Sequence, residues 1–136
     1  MKIYYLKNGK ITKWDDLTQL KNGNYLFYYK KFDKTEIEIS FPNLLSGRNM
    51  FNYCTNLTSF NGDLSSLVIG YEMFLSCSSI KSFSGDLSSL VNGYRMFDNC
   101  RSLTSFDGKN LKKLAFGNNM FRYCKLSIPS VEKIAE

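Results

Sequence analysis

Met96-Phe97-Asp98-Asn99-Cys100-Arg101-Ser102-Leu103-Thr104-Ser105-Phe106 decides the fold, because its marks return at a fixed distance on either side. Cysteines stand at Cys54, Cys77, Cys100 and Cys124, separated by 23, 23 and 24 residues. Each follows a Met-Phe pair: Met50-Phe51, Met73-Phe74, Met96-Phe97 and Met120-Phe121. A glycine precedes each Met by three (Gly47, Gly70, Gly93, Gly117), and a leucine precedes each glycine by three (Leu44, Leu67, Leu90, Leu114). Self-similarity at this period marks a solenoid, in which each repeat buries its apolar face only by stacking on its neighbours.

One repeat can be read from its residues. Ile80-Lys81-Ser82-Phe83-Ser84 predicts a strand with Phe83 inward and Ser82 and Ser84 outward. Gly85-Asp86 supplies a turn, Leu87 to Val91 starts the return, and Asn92-Gly93 makes a second turn. Met96, Phe97 and Cys100 then fall at helical spacing, predicting one or two helical turns over 94–100. An extra residue between Gly108 and Leu111 accounts for the single spacing of 24, placed in a turn where insertion costs least.

This pattern resembles the BspA-like bacterial leucine-rich repeats, with their aromatic-x-x-Cys-x-x-Leu core, carried here by residues 96–106 and their counterparts one repeat away. The Met-Phe variant is similar to repeats of related bacterial surface and phage-encoded proteins. The resemblance covers about residues 44–128 and implies a short leucine-rich-repeat solenoid of about four coils, an α+β repeat. It also implies binding as the mode of action, since such repeats serve many partners.

Residues 1–43 fall outside the repeat and are expected to form a β-rich N-terminal cap, with 129–136 as a C-terminal tail or cap. Ile3–Leu6 and Ile11–Trp14 flank an Asn-Gly pair, the strongest short hairpin signal. Asp15–Leu20 suits one helical turn, and 25–29 and 36–39 read as strands.

The cysteines suit neither a metal site nor a disulfide framework. Zinc sites need close ligand pairs, usually with histidine, and the chain has 0 His. Stacked equivalent side chains run parallel, which opposes the converging geometry of a bridge. Free, inward-facing thiols are the expectation, each a small buried hydrophobe. The missing histidines also exclude Ser-His and Cys-His catalysis. Asp63 and Asp86 follow turn glycines and are expected to accept local backbone hydrogen bonds. No catalytic residue, cofactor or metal site is predicted.

The net charge of +6 resides at the ends. Residues 1–40 carry 8 basic and 5 acidic side chains, 41–107 carry 4 and 5, and 108–136 carry 6 and 2. Lys109, Lys112, Lys113, Arg122 and Lys125 make up a candidate basic patch, for which solvating the solenoid end comes first and nucleic acid second. No long apolar run predicts a membrane span, and the opening residues lack a secretory signal, so the cytoplasm is the expected location, with a surface or virion setting as the other.

The strand stack presents Ser59, Ser82 and Ser105 beside Asn61, Ser84 and Asp107, but spans only about 10–15 Å. A standard interface takes about 800 Å² from each partner, so other surfaces must contribute. Arg48, Tyr71, Tyr94 and Asn118 occupy the variable position after each repeat glycine and form the candidate ridge, Tyr and Arg being enriched at binding hot spots. The sequence therefore predicts a non-enzymatic module that binds a protein partner through the aromatic-rich N-terminal cap and the repeat surface, the latter at Arg48, Tyr71, Tyr94, Asn118, Ser82, Ser84, Ser105 and Asp107. The alternatives are a small phage- or mobile-element-encoded inhibitor of a host nucleic-acid-processing complex, or an adhesive or structural part of a surface or virion assembly.

Overall fold

The computed structural model describes residues 4–7, 10–13, 17–32, 36–37 and 40–127. An antiparallel hairpin comes first, β1 (Tyr4–Lys7) and β2 (Lys10–Lys13), pairing Tyr4 with Lys13 and Lys7 with Lys10. It flanks the predicted Asn-Gly pair, which lies outside the described residues. A 3-10 turn at Leu17–Gln19 stands within the predicted helical turn.

The stack follows. β3 (Glu36–Ile37), β4 (Ser59–Asn61), β5 (Ser82–Ser84) and β6 (Ser105–Asp107) form one parallel sheet in chain order. Ile37 lies opposite Phe60, Phe60 opposite Phe83, and Phe83 opposite Phe106. The phenylalanines of β4 to β6 are buried and their neighbours more exposed, as the alternation predicts. A second parallel ladder links Asn22, Ser46, Ile69, Asn92 and Phe116 as single bridges.

The third side corrects the helical expectation. Residues 94–99 form linked turns, and among the described residues the only helix is the 3-10 turn at Leu17–Gln19. Arg95 and Asn99 take φ of 51° and 63°, as do their equivalents Asn49, Tyr53, Glu72, Ser76, Asn119 and Tyr123 in the left-handed region. The hydrogen bonds explain why. Met96 N–H donates to Gly93 O, Asp98 to Arg95 O and Cys100 to Phe97 O, closing successive turns. The intervening donors reach the next coil: Gly93 to Phe116 O, Arg95 to Asn118 O, Phe97 to Met120 O and Asn99 to Arg122 O. A helix would spend all these N–H groups on its own carbonyls and leave the coils unjoined.

Residues 25–29 also differ from expectation, forming turns rather than a strand. Tyr25 and Tyr29 both have φ 60°, and their N–H groups donate to Arg48 O and Asn52 O in the next coil. Gly23-Asn24-Tyr25-Leu26-Phe27 thus takes the geometry of Gly-x-x-Met-Phe, with Lys30 at the cysteine position. The stacking reaches back into the segment expected to be a separate cap.

The core is a set of columns. Phe27, Phe51, Phe74, Phe97 and Phe121 stack face to face with centroids 5.1–5.6 Å apart. Phe60, Phe83 and Phe106 form a second column and meet the first edge-on, so both favourable aromatic geometries repeat at each level. Each repeat glycine allows the next coil close. A Cβ on Gly70 would stand 2.8 Å from the Met96 sulfur, and one on Gly93 3.0 Å from that of Met120. The extra residue of the longest repeat is Lys109, held at φ 59°, and Asn110 then takes the role of Asp63 and Asp86. Asp63, Asp86 and Asn110 each accept the backbone N–H two residues on, at 2.8–2.9 Å, as expected of turn residues.

The four thiols are free, and each donates to the carbonyl of the phenylalanine one coil earlier: Cys54 to Phe27, Cys77 to Phe51, Cys100 to Phe74 and Cys124 to Phe97, at 3.0–3.2 Å. Burial pushes the Cys54 and Cys124 thiols up to about 12, and raises Cys77 and Cys100 well above the ordinary range.

Two outcomes follow. Phe97, fully buried between Phe74 and Phe121, should cost about 3–5 kcal/mol when changed to Ala, read from chemical denaturation. An unchanged midpoint would contradict the stacking. The thiols should stay unreactive to a thiol reagent at neutral pH until the protein unfolds, with half-buried Cys124 first to react. Native mass without reductant should equal that of four free thiols; a mass two hydrogens light would refute it.

Candidate partner-binding surface

Position by position, the turn side carries outward columns on either flank of the buried Met and Phe. The residue after each glycine heads the first column: Arg48, Tyr71, Tyr94 and Asn118. The Tyr71 and Tyr94 rings stack at 5.1 Å with 22° between their planes. The Arg48 guanidinium lies 4.4 Å from the Tyr71 ring centre. Arg48 and Asn118 are exposed and both tyrosines half-buried, so the ridge is held by its neighbours while its tips face solvent. The predicted ridge residues are therefore brought together, with Asn118 joined to the column through its carbonyl, which accepts from Arg95 N–H.

The strand-side residues fall where alternation puts them. Ser82 pairs with Ser105 and Ser84 with Asp107 in adjacent strands. With four strands the strip is about 14 Å across, too narrow to serve alone.

A second aromatic surface lies in the aromatic-rich N-terminal segment that the sequence marks as a contact surface, but its register with the repeats escaped that reading. Tyr29 and Tyr53 stack at 4.7 Å and 4°, Tyr28 meets Tyr29 edge-on at 4.3 Å, and Tyr25 meets Tyr28 at 5.4 Å. All four are exposed, and the Tyr29 hydroxyl is raised above the usual tyrosine range by its hydrogen bond with Tyr28. Once 25–29 is read as a strand, Tyr29 loses its register with Tyr53. The missed signal was Gly23, three residues before Leu26-Phe27.

The basic patch divides. Arg122 is not free: its Nη2 lies 2.7 Å from Asp98 Oδ2 and its Nε donates to Oδ1 at 3.1 Å. Arg95 Nε reaches the same Asp98 oxygen at 2.8 Å, and its Nη1 pairs with Glu72 Oε2 at 2.8 Å. Glu72 in turn accepts from Asn49 Nδ2 at 3.2 Å. A charge-alternating chain, Asn49–Glu72–Arg95–Asp98–Arg122, thereby fastens four successive coils. Asp98 is only 1% exposed. Burial opposes its charge, but hydrogen bonds from Arg122 and Arg95 outweigh that and hold its carboxyl below the usual range. Lys109 pairs loosely with Asp107 at 3.9 Å, whereas Lys112, Lys113 and Lys125 are exposed without an ion pair among the described residues.

Among the described residues no helix is long and apolar enough to cross a membrane, and no group of three metal-ligating side chains forms.

The model of the BspA type leucine rich repeat region matches residues 17–134 in six copies. The chain belongs to the BspA-type leucine-rich-repeat family. The match begins close to the start of the first stacked coil, and it agrees with the repeat geometry of residues 20–30. No curated protein and no solved structure matches the chain. Repeats of this family serve protein interaction in general, and nothing in the match singles out a partner.

The Asp98 network gives a pH-dependent expectation. A carboxyl held below its unfolded value stabilises the fold above the ordinary carboxylate range, and that contribution is lost as pH falls through the folded value. Asp98→Asn should cost about 1–3 kcal/mol at neutral pH, with the gap from the parent protein closing in acid. A gap that persists at pH 2, measured by denaturant titration, would show that the charge is not its source.

Proposed function

We propose that the chain is a non-enzymatic interaction module that holds a protein partner on the turn side of its stack. The observation that carries this is the Arg48–Tyr71–Tyr94 column, in which two stacked rings and an overlying guanidinium stand in register on adjacent coils. Ordering these side chains in advance lowers the entropic cost of binding, and Tyr and Arg are the types that dominate interface energetics. Asn118 extends the ridge toward the last coil, and the Tyr25, Tyr28, Tyr29 and Tyr53 surface supplies the apolar area that a narrow strand strip lacks. Ser82, Ser84, Ser105 and Asp107 would add polar contacts at the rim. Residues 1–43 serve as the atypical first unit that end repeats commonly are.

Tyr71→Ala and Tyr94→Ala together should remove most capture of a partner from lysate of the native host, each loss being about 2 kcal/mol for a hot-spot aromatic. Nuclease treatment should leave the capture intact. Capture that survives loss of both tyrosines but disappears with nuclease would replace this reading with the nucleoprotein-directed one, carried by Lys109, Lys112, Lys113 and Lys125.

A further inference from the structure

Beside the Tyr71–Tyr94 ridge runs a flank whose backbone is fully used. Leu45 and Ser46 N–H both donate to Lys21 O, Val68 and Ile69 to Leu45 O, Val91 and Asn92 to Val68 O, and Ala115 and Phe116 to Val91 O. Each carbonyl of this column therefore has both lone pairs engaged. The side chains turned outward here are apolar: Leu45, Val68 and Ile69 are 47%, 36% and 39% exposed, and Val91 is half-buried. All four belong to coils with a described coil on either side, so their exposure is lateral and owes nothing to an end of the stack. The core does not need them, because the leucine before each, Leu44, Leu67 and Leu90, is already fully buried. Charge frames the strip. Residues 43–48, 66–71, 89–94 and 113–118 include no acid, and their two cations, exposed Arg48 and Lys113, belong to its first and last coils. Exposed Lys21 stands beneath Leu45, and Glu72, just beyond the ridge, is taken up by Arg95.

We propose that this strip seats an acidic amphipathic α-helix of the protein partner, lying along the stack beside Tyr71 and Tyr94. The proposal rests on the protein-binding reading above and names the element that the partner brings. Two observations select a helix. The column offers neither a free donor nor a free acceptor, so its occupant must satisfy its own backbone, as a helix does and an extended segment does not. The spacing agrees: coils recur about every 4.8 Å, and helical turns of about 5.4 Å come into step with them at a tilt of about 27°. Same-face side chains of a strand recur about every 6.7 Å and fall out of step. The four coils from Leu45 to Ala115 span about 14 Å, room for about three tilted turns. Apolar side chains at i, i+3, i+4 and i+7 settle over Leu45, Val68, Ile69 and Val91, while carboxylates at the helix ends meet Lys21 and Arg48 on one side and Lys113 on the other. A second copy does not fit. Among the described residues its only helix is the 3-10 turn Leu17–Gln19, and its own strip would set the same cations against these.

The test uses the full chain and a fluorescein-labelled peptide of about eleven residues, held helical by a hydrocarbon staple on its polar face, with leucines at i, i+3, i+4 and i+7 and glutamates at both ends. Fluorescence anisotropy should show saturable binding, weakened about tenfold or more when the end glutamates become lysines. An unstapled peptide with a central proline, which cannot keep the helix, should bind as poorly. Val68→Asp with Ile69→Asp, both at exposed positions, should weaken the stapled peptide at least tenfold. The reversal Lys21→Glu with Lys113→Glu should weaken it through charge alone, and it decides the matter if the first variant fails to fold. No saturable binding, equal binding of the lysine-ended or proline-broken peptide, or indifference to the charge reversal would overturn the proposal. So would concentration-dependent association of the chain that Val68→Asp abolishes, because a second copy would then be the occupant. A peptide that fails to bind while partner capture still depends on Tyr71 and Tyr94 would sink this inference alone and leave the interaction module standing.

Discussion

On the turn side of every coil, alternate N–H groups answer to two different acceptors, and the rest of the molecule is arranged around that division. In the coil from Gly93 to Cys100, three close the coil's own turns and four reach the next coil. The backbone can face both ways only by entering the left-handed region twice per coil, which costs about 1–3 kcal/mol for each non-glycine residue and must be repaid by packing. The repayment is the phenylalanine pair of each repeat, one from the turn and one from the strand, meeting edge-on while each stacks on its equivalents above and below. Cysteine fits the same scheme. Its thiol is small enough to sit inside the turn, and it can donate to a phenylalanine carbonyl that already accepts the turn's own N–H.

Stacking in register favours like on like for apolar groups and punishes it for charges. At a spacing of about 4.8 Å, two equal unit charges repel by about 1 kcal/mol even in water, and by more when half-buried. The turn side resolves this by alternation along and across its columns. Glu72 is followed by Arg95 one coil on, and Asp98 by Arg122, with Arg95 bonding both acids. Arg48 precedes Tyr71 and Tyr94 in the neighbouring column, giving a cation over rings rather than a cation over a cation. The Arg48–Tyr71–Tyr94 column and the ion network are thus two answers to one stacking constraint.

Much of this could be read from the residues because a period survives wherever the same side chain must fill the same seat. The Leu, Gly, Met, Phe and Cys columns, the inward phenylalanines of the strands and the Arg48–Tyr71–Tyr94 register all follow from it. What the period could not decide was local conformation: Met96, Phe97 and Cys100 share one side both in a helix and in these linked turns, and only the destination of the backbone donors separates the two. The first coil was hidden because Leu26 and Lys30 replace Met and Cys, which left a run of aromatics that favours a strand on propensity alone. Arg122 looked like a free cation because Asp98, its partner, lies a full repeat away. The Tyr29–Tyr53 stack was missed for the same reason as the coil that carries it.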